Sequence, residues 1–181
     1  RELKAQGKDI IDLSLGEPDF KTPDHIIEAA IQAMHDGFTK YPPVAGFLDL
    51  KQAIVDKFQR DNHLTYATDE VMVSTGAKQC IYNAVMSIVN DGDEVLIPSP
   101  FWVTYADIVK LSEGTVVQLF GSFENDFKIT PAQLRKAITS KTKLFMFSSP
   151  CNPTGSIYSF EELKALVEVF VDYPQVFILS D

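Results

Sequence analysis

The sequence predicts an α/β protein, arranged as three α/β/α layers around a mostly parallel sheet. Three observations lead there. From residue 70 onward, apolar runs of strand length alternate with amphipathic helical stretches, the pattern of repeated strand–helix units. Several runs, such as "VLIP" and "LFMF", are continuous rather than alternating, as expected of strands covered by helices on both faces. Hydrophobic residues form 45% of the 181 positions, enough for a core of ordinary size.

The elements follow in order. Residues 10–15, "IIDLSL", read as a short strand leading into "GEPDF". Thr22-Pro23 reads as an N-cap with proline at the first helical position. Ile26, Ile27, Ala30, Ile31 and Met34 then recur at helical spacing until Gly37. After the loop "TKYPPVAGF", a helix carries Phe47, Leu50, Ile54 and Phe58 on one face. "EVMVS" at 70–74 reads as a strand. The next helix aligns Ala77, Cys80, Ile81, Ala84, Val85 and Ile88. "DGDEVLIP" is a turn and a strand, a helix follows around 102–112, and "TVVQLF" is a strand. Thr130-Pro131 with Gln133 forms a capping-box pattern that opens a helix near 131–138. "TKLFMFS" is a strand. Ser159 and Glu162 form a second capping box, opening a helix with Phe160, Leu163, Leu166, Val167 and Phe170 inward. "QVFILS" is the last of five strands in the alternating region. No internal repeat, low-complexity tract or long linker interrupts this order.

Composition narrows the function classes. Lys and Arg number 16 against 25 Asp and Glu, a net charge of −9. That balance argues against the clustered cationic surface of a nucleic-acid binder and against docking on anionic lipid. No stretch reaches the roughly 18 apolar residues of a membrane span. The first ten residues lack the apolar centre of a signal peptide. Cys80 and Cys151 are far apart with no CxxC spacing, which favours two free thiols in a reduced, cytoplasmic protein. His25, His35 and His63 show no metal-ligand spacing. Both ends look cut: the chain opens inside a charged helix-like stretch and stops at "VFILSD", where domains rarely terminate. A fragment of a longer protein is therefore expected.

Ligands of open α/β sheets gather at the carboxyl ends of the strands. The residues to weigh are Ser74–Lys78, Pro98–Trp102, Ser149–Gly155 and Asp181. "STGAKQ" runs straight into a helix whose first N–H groups and dipole favour an anion such as phosphate; alternatively, Ser74 or Thr75 simply caps that helix. No GxGxxG or GxxxxGK[ST] is present, so a nucleotide site is poorly supported. Trp102, the single tryptophan, either fills the core or stacks on a flat ring. Asp181 closes an apolar run, and a carboxylate there needs a partner. A cationic ring nitrogen would serve, or the aspartate caps the next element. In "SSPCNPTGSIY", Asn152 supplies an amide donor, Pro153 fixes chain direction in a candidate cis bond, and Gly155 permits a sharp exit. Together these groups describe a flat, phosphorylated pyridine with a phenolic oxygen.

"SLGEPDF", "YPPVAGFLDLKQAI", "STGAKQ", "PSPFWVTY", "SSPCNPTG" and the terminal "LSD" resemble, in order and spacing over nearly the whole chain, the class I aminotransferases that use pyridoxal phosphate. The likeness is to the bacterial aspartate aminotransferase subgroup. The resemblance implies the large-domain portion of that fold over 21–181, incomplete after Asp181, with 1–20 belonging to the small domain. It implies that Gly76, Ala77 and Lys78 hold the cofactor phosphate, Trp102 stacks on the ring, Asn152 donates to its phenolic oxygen and Asp181 pairs with its nitrogen. Gly16 would lie beside the substrate carboxylate. Tyr41 would reach the phosphate of a neighbouring subunit in a homodimer. Amino acids, aspartate-like ones favoured, and 2-oxo acids are the implied substrates. The lysine that holds the cofactor covalently and the arginine that clamps the α-carboxylate are implied to lie downstream, so the 181-residue chain by itself is expected to be inactive. Lys78 does not replace that lysine, since it belongs to the phosphate turn. A transaminase or lyase of the same fold acting on another amino acid, and a ligand-sensing regulator with an aminotransferase-like domain, are the competing readings.

Overall fold

A computed structural model describes residues 2–11, 16 and 18–181. The chain divides into two compact units, Arg1–Phe47 and Leu48–Asp181. In the first, α1 spans Glu2–Ala5 and α2 spans Asp24–His35. The cap of α2 differs from the expected one. Pro23 itself is the N-cap, with φ −55° and ψ 137°, and no side chain caps the helix. Its extended ψ turns its carbonyl to accept from the N–H groups of Ile26 and Ile27, so Thr22 has no capping role. Gly37, at φ +85°, closes the helix as glycine readily does in the left-handed region. The strand expected over 10–15 lies outside the described residues at 12–15, and Ile10 and Ile11 belong to no regular element.

The second unit contains α3 (Leu48–Asn62), α4 (Ala77–Ile88), β1 (Glu94–Ser99), α5 (Thr104–Leu111), β2 (Thr115–Phe120), α6 (Pro131–Ala137), β3 (Thr142–Phe147), α7 (Phe160–Phe170) and β4 (Phe177–Ser180). The four strands form one sheet in the order β2-β1-β3-β4, and every pairing is parallel. Parallel neighbours need crossovers, and helices supply them. Alternate residues of the central strands serve opposite faces. Val95, Ile97, Leu144 and Met146 pack with Ile81 and Val85 of α4 and Tyr105, Ile108 and Val109 of α5. Leu96 and Phe145 pack with Leu134 of α6 and Leu166, Val169 and Phe170 of α7. This is the expected three-layer α/β/α arrangement, with a core on each face of the sheet.

Two expectations are corrected here. Residues 70–74 are not a strand: a short 3-10 turn covers Thr68–Glu70, and among the described residues Val71–Ser74 has no strand partner. Val71 has extended dihedrals, but a strand exists only through a hydrogen-bonded neighbour. The inward face of α7 is also rolled from the expected one. Val169 is buried with Leu166 and Phe170, while Phe160 and Val167 face outward at 77% and 52% exposure. The spacing is helical in both readings; contact with β3 and α6 selects the face.

The capping boxes are present. Ser159 Oγ accepts from Glu162 N at 3.2 Å, and Glu162 Oε2 accepts from Ser159 N at 2.7 Å. Thr130 and Gln133 repeat the arrangement at α6. Ser159→Ala is expected to cost about 1 kcal/mol, read as a lower urea midpoint at unchanged slope. An unmoved midpoint would show that the box contributes nothing.

Candidate active site

The loops that follow the strands lie on one rim, and α4 begins there. Gly76 precedes α4 at φ +83°, and no side chain caps the helix. Neither Ser74 nor Thr75 is the cap: the Thr75 N–H is instead accepted by Gln79 Oε1 at 2.6 Å. The first turn of α4 therefore presents N–H groups without a side-chain acceptor, the arrangement that binds anions. A Cβ placed on Gly76 would meet nothing within 4 Å, so the space before the helix is open. Lys78 adds a positive charge, with Nζ 4.9 Å from the centroid of the Trp102 ring.

Trp102 is half-buried just before α5. Its ring meets that of Tyr105 edge-to-face, with centroids 5.8 Å apart. Tyr105 is 1% exposed. Its hydroxyl donates to Asp181 Oδ2, and Ser148 also neighbours it. Burial first, and then the bond to Asp181, push the phenol well above its usual pKa, so it stays protonated as a donor. Asp181 follows β4, and its N–H continues the ladder to Phe147 O at 3.0 Å. Ala77 and Asp181 line the same open cleft of about 330 Å³ between α4 and β4. The helix start, Lys78, Trp102 and Asp181 are thus gathered, through the Lys78–Trp102 contact, the Trp102–Tyr105–Asp181 chain and the cleft shared by Ala77 and Asp181.

Asn152 is exposed on the β3–α7 loop. Neighbouring Cys151 ties that loop to the one after β1 through Sγ to Pro100 O at 3.3 Å. Ser149 Oγ accepts from Tyr158 N at 3.1 Å, and Gly155 N donates to Cys151 O at 2.7 Å. The Asn152–Pro153 peptide is cis, as are Ser99–Pro100 and Ser149–Pro150. Gly16 and Tyr41 belong to the first unit and are exposed, Tyr41 fully. Residues not singled out from the sequence are Tyr105 and Ser148. Tyr105 had one local signal, its position a single helical turn after Trp102 in "FWVTY".

The profile of the family described as aminotransferase class I and II matches residues 8–181. The chain belongs to that family. Among curated relatives of this aminotransferase-family chain, the aspartate/prephenate aminotransferase of Nitrosomonas europaea is 52% identical over 99% of the chain and 45% of its own length. The aspartate aminotransferase of Bacillus subtilis is 49% identical over the whole chain and 46% of its own length. The crystal structure of the Rhizobium meliloti aspartate aminotransferase superposes with a TM-score of 0.95 at 44% identity, covering 99% of this chain and 45% of that one. The chain spans less than half the length of the relatives it matches. Among the described residues, no helix is long and apolar enough to cross a membrane.

Proposed function

We propose that this chain supplies the cofactor-gripping part of a pyridoxal-phosphate aminotransferase that moves an amino group between an aspartate-like amino acid and a 2-oxo acid. The relatives' names, aspartate and aspartate/prephenate aminotransferase, support an acidic donor and a 2-oxo acid acceptor. The observation that carries the reading is the charge layout of the rim. The start of α4 and Lys78 bring positive charge beside Trp102, and Asp181 shares a cleft with Ala77 of the same helix. A phosphorylated, cationic pyridine has the complementary layout, and so these residues fit the group.

Gly76, Ala77 and Lys78 hold the phosphate at the start of α4. Trp102 covers one face of the ring and excludes water from it. Asn152 donates to the phenolic oxygen. Asp181 pairs with the ring nitrogen and keeps its proton in place. When bound, the protonated ring withdraws electrons from the substrate α-carbon and stabilises negative charge there. Gly16 sits beside the substrate carboxylate, and Tyr41 reaches the phosphate of a second subunit, making the working protein a cytoplasmic homodimer. In the domain division, 1–20 joins the small domain and 21–181 the cofactor domain.

Titrating the chain with pyridoxal phosphate tests this through the fluorescence of Trp102, the single tryptophan. Quenching is expected to saturate below about 1 mM, equivalent to about 4 kcal/mol, and inorganic phosphate should compete. Quenching that is absent, or indifferent to phosphate, sinks the reading.

A further inference from the structure

We propose that Tyr105 is a positioning residue for this site: its hydroxyl aims the Asp181 carboxylate at the ring nitrogen, while its ring sets the tilt of Trp102. The inference rests on the function proposed above. Asp181 is exposed, and its backbone is fixed by the bond to Phe147 O. Without a partner its carboxylate would rotate freely. Tyr105 supplies the partner from a fixed place. It lies in the first turn of α5, three residues past Trp102, and meets that ring edge-to-face. Its ring belongs to the core cluster with Ile97, Val109, Leu144 and Met146.

The phenol thus joins three strand ends. It donates to Asp181 after β4, neighbours Ser148 after β3, and packs on Trp102 after β1. The bond uses Oδ2 and leaves Oδ1 for a cation. A phenylalanine would fill the same core volume, so packing alone does not require the hydroxyl. Holding the carboxylate before the ligand arrives removes an ordering cost from binding.

The test uses the 181-residue chain and three probes. Pyridoxine 5′-phosphate has the same ring but no aldehyde to react with lysines. A carbocyclic analogue replaces the ring nitrogen with CH. Inorganic phosphate reports the α4 start alone. The unaltered chain should prefer the pyridine over the carbocycle by about tenfold, close to 1.4 kcal/mol. Tyr105→Phe should erase most of that preference and leave phosphate affinity unchanged. In an Asp181→Asn background, Tyr105→Phe should have no further effect on the preference, because the two act as one unit. Full preference in Tyr105→Phe, or an equal loss for all three probes, overturns the proposal. No preference in the unaltered chain overturns the role of Asp181 itself, and the positioning role with it. A measurement free of folding effects accompanies these: the unaltered chain should show a slowly exchanging, downfield hydroxyl proton by NMR that Asp181→Asn removes. Its absence also overturns the proposal.

Discussion

Leu144→Ala is expected to lower stability by about 4 kcal/mol, near the upper part of the range for buried leucines. Leu144 is fully buried. It sits in β3, with β1 on one side and β4 on the other. Its side chain meets the cluster built by α4 and α5, while the next residue, Phe145, serves the opposite cluster. A cavity here has little freedom to collapse, because the backbone is held by neighbours on both edges. Domains of this size are stable by only about 5–15 kcal/mol, so the loss is a large fraction of the whole. Thermal unfolding should move down by roughly 10 °C. A shift of only one or two degrees would mean that the first cluster closes over the gap.

Gly121→Ala should cost about 3 kcal/mol, and for a different reason. A Cβ at Gly121 would lie 2.1 Å from Phe127 O, 2.3 Å from Phe127 C and 2.9 Å from Lys128 N. These are backbone atoms, with no flexible end to swing aside. The loop they belong to is braced against retreat. Phe127 N donates to Ser122 O at 2.8 Å, Lys128 N to Asn125 O at 2.9 Å, and Asn125 Nδ2 to Lys128 O at 2.8 Å. Asp126 and Phe127 both hold positive φ, 52° and 57°, a conformation already costly outside glycine. Retreat would also pull on Ile129, whose N–H is accepted by the buried Tyr158 hydroxyl at 2.9 Å. Overpacking of this kind costs about 1–3 kcal/mol and sometimes more. Urea unfolding checks it; a midpoint unchanged from that of the parent chain would show that the loop yields freely.

The parts of the fold legible in the sequence are those fixed locally. Thr130 with Gln133 and Ser159 with Glu162 span three residues each, and both boxes form where the pattern put them. β2 at Thr115–Phe120 also coincides with "TVVQLF", and there β1 supplies the ladder. What failed depends on distant partners. Val71–Ser74 has strand-like residues but no ladder among the described residues, and the roll of α7 that exposes Val167 is decided by the sheet beneath it. The site divides along the same line. Trp102 and Asp181 stood out as candidates because they follow strands, and Gly76, Ala77 and Lys78 because they open a helix, although the run before them is not a strand. Tyr105 did not, because its partner lies 76 positions away in the chain and a buried phenol reads as core.

All strands run in one direction, so the sheet has two chemically unequal ends. The turns at Asn90–Asp93, Glu113–Gly114 and Thr139–Lys141 sit at the start of the strands, mostly exposed and built from short polar residues. None touches the groups gathered at the other end. Affinity tags, surface anchors or fused partners inserted at those turns would leave the working end facing solution, which makes them natural handles for immobilising the protein on a sensor or resin.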